Sequence, residues 1–208
     1  MGPACLVIVI LTLAVFMAVC AFGSFIYFSD QPALAERGIT QQLIPWVESS
    51  TLSPADKQAI LNDLQSVVEK VKSRELTTRQ LSRLKNALED NPVLLWGTVE
   101  GVLAGADEAG MPEVEIQAGQ RVAQRLLRAA AERKLGRNDL VYQLEGCTHT
   151  RADGQGLEIN APLEAEQIRS FLTCAESFVD GRDVADEPYE KTVPEVFRAL
   201  VDEALSVK

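Results

Sequence analysis

SPADKQAILNDLQSVVEKVKSRELTTRQLSRLKNALEDNP, residues 53–92, carries two helix signatures in succession. Ser53 supplies a capping side chain, Pro54 fits the first turn, and Asp56 places an acid where the helix dipole favours one. Ile60, Leu64, Val67, Val68 and Val71 then recur at helical spacing, while Asp63, Glu69, Lys70 and Lys72 take the other face. This pattern predicts a helix over residues 54–74. A second start follows at once. Thr77 and Gln80 form a capping box, Leu81, Leu84 and Leu88 make the apolar stripe, and Glu89-Asp90-Asn91-Pro92 ends it. Two helices joined by so short a link are expected to pair as an antiparallel hairpin.

The helical reading extends toward the C-terminus. PVLLWGTVEGVLAGADEA, from Pro92, predicts a third helix stopped by Gly110 and Pro112. Gly97, Gly101 and Gly105 recur every four residues within it. Each costs about 1 kcal/mol relative to alanine inside a helix, so three on one face need a reason. Such a strip lets another backbone approach closely. The approach is either packing within the domain, self-association of two copies, or a groove for ligand or lipid. A fourth helix is predicted over residues 113–135, with Val122, Leu126, Ala129 and Ala130 inward. Arg121, Arg125 and Arg128 form a cationic row on its opposite side. The row is read as a solvated face, with the acidic C-terminal third or an anionic partner as alternative occupants.

Asn138 or Asp139 is placed to cap a short element, LVYQLEG. CTHTRADGQGLEINAP then loses helical periodicity, and Asp153-Gly154 is a tight-turn pair. The stretch reads as a small β-hairpin with arms near 146–152 and 157–160, or as an ordered loop. Pro162 is expected to restart a helix that runs to Gly181, with Ile168, Phe171, Leu172, Ala175 and Phe178 as its core face. An acidic linker spans 180–192. Thr192-Val193-Pro194-Glu195 then opens a final helix carrying Val196, Phe197, Leu200, Val201 and Leu205.

Residues 4–28, ACLVIVILTLAVFMAVCAFGSFIYF, contain no charge. As a helix this run would measure about 37 Å, enough to cross a hydrocarbon core of roughly 30 Å with some tilt. It reads as an uncleaved membrane anchor. A secretory signal would carry a charged start and a shorter apolar stretch, although Ala33-Leu34-Ala35 offers a small-x-small cleavage triplet. Cys5 and Cys20 read as small apolar residues within the span. Tyr27 and Trp46 are candidates for the outer interface. Residues 29–38 read as a linker. Residues 39–49 read as a short helix limited by Pro45, with Ile39, Leu43, Trp46 and Val47 facing either core or membrane surface. The expected organisation is a single transmembrane helix at 1–28, a juxtamembrane segment at 29–52 and a soluble helical domain at 53–208. A division into 53–135 and 138–208 is the finer alternative. The fold class is all-α, with about six helices beyond the anchor.

All charged residues lie at or after Asp30, so the formal net charge of −10 belongs to the part beyond the anchor. That balance disfavours nucleic acid and anionic lipid as general partners. Cationic flanks stay on the cytoplasmic side, and here they are sparse: the α-amine precedes the run and Arg37 follows it. The expected localisation is a single-pass membrane protein with its domain extracytoplasmic. In that compartment Cys147 and Cys174 are candidates for one disulfide.

Catalytic and metal signatures find little to hold. Cys147, His149, Arg151 and Asp153 alternate along one stretch, which in a strand puts them on one side. They are the ligand-loop candidates, because this stretch gathers the sole histidine with a cysteine, an arginine and an acid. Cys147, His149 and Cys174 give three zinc-type ligands where a structural site wants four, so no metal is assigned. The Asp-Gly-Gln-Gly run has neither calcium-loop acids nor a phosphate-loop Lys-Ser/Thr, so no cofactor is assigned. The functional expectation is a membrane-tethered, non-enzymatic interaction or scaffold module. Its partners would be the bilayer, through residues 4–28, and another protein or a second copy. An enzyme or small-ligand receptor using the 146–160 loop is one alternative. A membrane-assembly subunit that oligomerises through the glycine strip is the other.

Overall fold

The computed structural model describes residues 31–151 and 156–206. The predicted anchor at 4–28, with Cys5, Cys20 and Tyr27, lies outside the described residues, as does Asp153. Among the described residues, no helix is long and apolar enough to cross a membrane.

In chain order the elements are α1 (Gln31–Gly38), a π-helical turn (Ile39–Leu43), α2 (Ile44–Ser49), α3 (Pro54–Lys72) and α4 (Thr78–Asp90). A 3-10 turn (Pro92–Leu95), α5 (Trp96–Glu108), α6 (Glu113–Ala131) and α7 (Arg137–Leu144) come next. Strands β1 (Thr148–Thr150) and β2 (Leu157–Ile159), then α8 (Ala165–Gly181) and α9 (Val193–Ser206), complete the order. The all-α expectation holds, with the small hairpin in place.

The first correction concerns residues 29–38. From Gln31 they are helical and run without a break into α2. Pro45 does not end this path. Proline lacks an N–H and crowds the carbonyl four residues back. The wider π turn just before it relieves that conflict, with the Ile44 N–H bonded to the Ile39 carbonyl. Ile39 and Val47 face the core.

Helices α3 and α4 start as their sequences dictate. The Ser53 hydroxyl accepts from the Asp56 N–H at 3.2 Å. Gln80 Oε1 accepts from the Thr77 N–H at 2.9 Å, and Thr77 Oγ1 accepts from the Gln80 N–H at 3.3 Å. The stripe of Ile60, Leu64, Val67, Val68 and Val71 is buried. The expected antiparallel hairpin is replaced by another arrangement. Both helices pack chiefly on α1 and α9 rather than on each other. Gln80 Nε2 donates to the Leu205 carbonyl at 2.6 Å, and Arg198 Nε reaches Asp63 at 3.2 Å. Phe197, 1% exposed, fills the seam from α9.

Three further boundaries shift for local reasons. Asn91 Oδ1 accepts from the Val93 N–H at 2.8 Å, so a 3-10 turn precedes α5. The Gly136 N–H bonds to Asp139 Oδ2 at 2.9 Å, which starts α7 at Arg137. Helix α8 begins at Ala165, not Pro162, because the Gln167 side chain caps the Glu164 N–H at 2.9 Å.

The fold has two distinct ends. Lys72 Nζ lies 3.5 Å from Glu36, and Lys57 Nζ donates to the Glu48 carbonyl at 3.1 Å. The path from α1 to α2 therefore runs antiparallel to α3. Gln31 and the α3–α4 corner share one end. Ser49 and the hairpin share the other, where Arg151 Nη1 donates to the Ser49 carbonyl at 3.4 Å. One cluster of buried side chains, from Ile39 to Ala204, joins both ends among the described residues.

Candidate functional site

The hairpin separates its chemistry onto two sides. Thr148 pairs with Ile159, His149 with Glu158 and Thr150 with Leu157. Cross-strand pairing sets His149 between carboxylate and amide: Nδ1 is 2.9 Å from Asn160 Oδ1, and Nε2 is 3.6 Å from Glu158 Oε2. His149 is exposed. Cys147 precedes β1 and turns inward. Its thiol is fully buried and donates to the Gln167 carbonyl at 3.4 Å. Burial pushes that thiol up to about 11. A nucleophilic cysteine needs the opposite, a depressed pKa beside an activating base. Asn160 Nδ2 and Gln167 Nε2 both donate to the Gly146 carbonyl, at 3.4 and 3.0 Å, which ties the hairpin base to α8.

The expected disulfide is corrected. Cys147 and Cys174 are free thiols, the first buried and the second exposed. Cys147 meets α8 at Gln167, seven residues before Cys174. At 1.5 Å per residue those positions stand about 10 Å apart along the helix, beyond disulfide reach.

The glycine strip is filled from within the chain. A Cβ on Gly97 would collide with the Thr51–Leu52 backbone. One on Gly101 would meet the end of Ile159, and one on Gly105 would sit 3.2 Å from Leu163 Cδ1. The strip thus receives a loop, a strand and the segment after it, rather than a second helix. Glu100 lies on the same side of α5, half-buried. Its carboxyl is raised above the ordinary range, first by burial and then by the charge of Asp56. The sequence signal for Glu100 is its spacing from Gly97.

The cationic row is not a solvated face. It grips the acidic segment between α8 and α9. Arg121 makes a two-point contact with Asp186, at 2.7 and 2.8 Å. Arg125, whose side chain is 10% exposed, donates to Asp180 at 2.7 Å and to the Val184 carbonyl at 2.9 Å. Arg128 donates to the Ala185 and Pro188 carbonyls and lies 5.2 Å over the Tyr189 ring. Lys134 adds a bond to the Asp183 carbonyl at 3.1 Å. The acidic third is the occupant.

What remains open is a cleft beside the hairpin, about 570 Å³, between the C-terminal end of α4, the start of α7 and the two strands. Glu89, Asp90, Arg137, Asp139 and Thr150 bring polar groups to it, and Leu95, Val141 and Leu157 bring apolar surface. Arg137 also stacks over Trp46 at 5.0 Å. That stacking fixes Trp46 beside the cleft, at the end away from Gln31. A neighbouring cleft of about 520 Å³ shares Asp90 and Gly136 with the first. Exposed Tyr142 stands on α7, the helix that forms one wall. Sequence reading missed this cleft because its walls come from segments about 50 residues apart. Gln143, also on α7, is buried with neither amide atom hydrogen-bonded. Among the described residues no cluster of three acidic, histidine or cysteine side chains is arranged to hold a metal ion. No protein-family model, no curated protein and no solved structure matches this chain.

Proposed function

We propose that the chain is a membrane-tethered, non-enzymatic interaction module, with its helical domain held off the bilayer by residues 4–28. One observation carries the reading. The charge-free run ends at Phe28, and the helical domain begins at Gln31, at one end of the fold. The path from Gln31 to Ser49 contains about 27 Å of helix. The hairpin, the cleft and Tyr142 therefore stand at or toward the end opposite the entry point, the side a tethered domain offers to a partner. Further support comes from how the conspicuous residues are used. The glycines, the arginine row and Cys147 all serve internal contacts. The partner surface we assign is the cleft bordered by Glu89, Asp90 and Arg137. The extracytoplasmic side is our assignment; Arg37, the single cation near the run, is offset there by Asp30 and Glu36.

The test is alkaline extraction of the full chain from membranes, with external protease acting on a C-terminal tag in sealed cells. Retention in the pellet, loss of the tag, and release by paired Leu13→Lys and Phe16→Lys substitutions are expected. Release of the unaltered chain by alkali would refute the tether. Protection of the tag would refute the orientation. The cleft also favours a second reading, small-ligand binding next to the hairpin. Ligand-induced thermal stabilisation that disappears in Arg137→Ala, at the cleft wall, would favour it over a protein partner.

A further inference from the structure

We infer that the α3–α4 corner is a docking face for the anionic headgroups of the bilayer that residues 4–28 enter. This inference rests on the tether reading above and not on the side assigned there, since an anionic leaflet is ordinarily the cytoplasmic one. Lys70, Lys72, Arg74 and Arg79 are all exposed within ten residues of sequence at this corner. The acids there are Glu69, Glu75 and Glu36, with Asp30 next to Gln31 in the sequence. Glu75 accepts from Ser73 Oγ at 2.6 Å, and Glu36 faces Lys72. With Arg37 of α1 included, cations outnumber acids locally, although the whole chain carries −10. The positive end is thus the end at which the chain leaves the apolar run.

Covalent reach fixes how near that end must be. Three peptide bonds link Phe28 to Gln31, so even fully extended this segment spans only about 10 Å. The Debye length at physiological salt is about 8 Å, so charges at this end feel a headgroup layer that the rest of the domain does not. Apolar exposure agrees. Leu34, on α1 one turn past Gln31, is 53% exposed, one of the few large hydrophobic side chains so exposed among the described residues. Lysine and arginine beside an anionic leaflet are attracted by enough to raise association several-fold each.

The experiment uses the full chain in nanodiscs of zwitterionic lipid alone or with a third anionic lipid. Amine acetylation at Lys70 and Lys72 is mapped by mass spectrometry, with Lys85 and Lys191 as internal references. The expected result is labelling about fivefold slower at Lys70 and Lys72 in anionic discs, reversed by high salt. A Lys70→Glu, Arg74→Glu, Arg79→Glu variant should lose the protection at Lys72 while keeping its thermal transition and its place in the disc. Equal labelling in both lipids, with the chain still embedded, would overturn the docking face and leave the tether standing. A chain that fails to enter either disc would overturn both.

Discussion

Replacing Gly97 by alanine sets two known effects against each other. Removing a glycine from a helix interior stabilises it by about 1 kcal/mol, and by less at Gly97, the second residue of α5. The added methyl group, however, runs into backbone atoms of Thr51 and Leu52, and Leu52 is itself only 3% exposed. Backbone held in a core cannot move aside as a side-chain end can, and overpacking of this kind costs about 2–3 kcal/mol. The net expectation is a loss of about 1–2 kcal/mol, or roughly 3–8 °C in Tm for a domain of this size. Gly105→Ala is the matched control. Its methyl meets only the end of Leu163 at 3.2 Å, which can shift, so the helix gain should win and Tm should hold or rise. Gly101→Ala, against the end of Ile159, should fall between them. Thermal unfolding of the full chain in detergent, followed by tryptophan fluorescence, reads all three, because buried Trp96 adjoins Gly97. If Gly97→Ala matches the parent while Gly105→Ala falls, the account of the strip as a loop-and-strand bed is wrong.

Other perturbations test the remaining contacts. Arg125→Met strips donors from the Val184 carbonyl and Asp180 and should cost about 2 kcal/mol, whereas Arg121→Met, at an exposed pair, should cost less than about 1 kcal/mol. Trypsin should then cut Arg125→Met faster at Arg182 and Lys191, and an unchanged digestion rate would contradict the grip. The Glu100 carboxyl keeps its proton to higher pH when folded than when unfolded. Stability contributed by that proton is therefore present at low pH and lost as pH rises from the ordinary glutamate value through the raised one. Glu100→Gln should flatten this slope and raise Tm at neutral pH; a lower Tm at neutral pH would count against it. Cys174 should alkylate readily at pH 8 in the folded chain, while Cys147, pushed up to about 11 by burial, should react only on unfolding. Mass mapping that finds Cys147 labelled first would reverse the assignment.

Local grammar made much of the fold legible. Ser53, Thr77 and the apolar stripes specify α3 and α4 because capping and 3.6-residue periodicity act within a few residues. Asp153-Gly154, between two short arms, pointed to a hairpin but left an ordered loop open as the alternative. Partnerships were not legible. The short α3–α4 link implied that the two helices pair, yet each of them packs on α9, joined by Gln80–Leu205 and Arg198–Asp63 contacts across more than a hundred residues. The arginine row could be seen, with the acidic C-terminal third as one alternative occupant, but not its exact partners, since carbonyls of residues 184, 185 and 188 supply half of them and carry no sequence signature. The cleft was invisible for a related reason: its walls become neighbours only when α4, α7 and the hairpin converge.

The position of α9 also bears on how the protein is made. Gln80 waits for Leu205, a separation of 125 residues. At synthesis rates of about 5–20 residues per second, helices α3 and α4 stand for roughly 6–25 s without the helix that covers them. During that interval the stripe of Ile60, Leu64, Val67 and Leu84 is a sticky surface on a nascent chain, tied by its leading end to a membrane in our reading. A helper that shields helical apolar faces, acting before residue 200 is added, is what such a chain would need most.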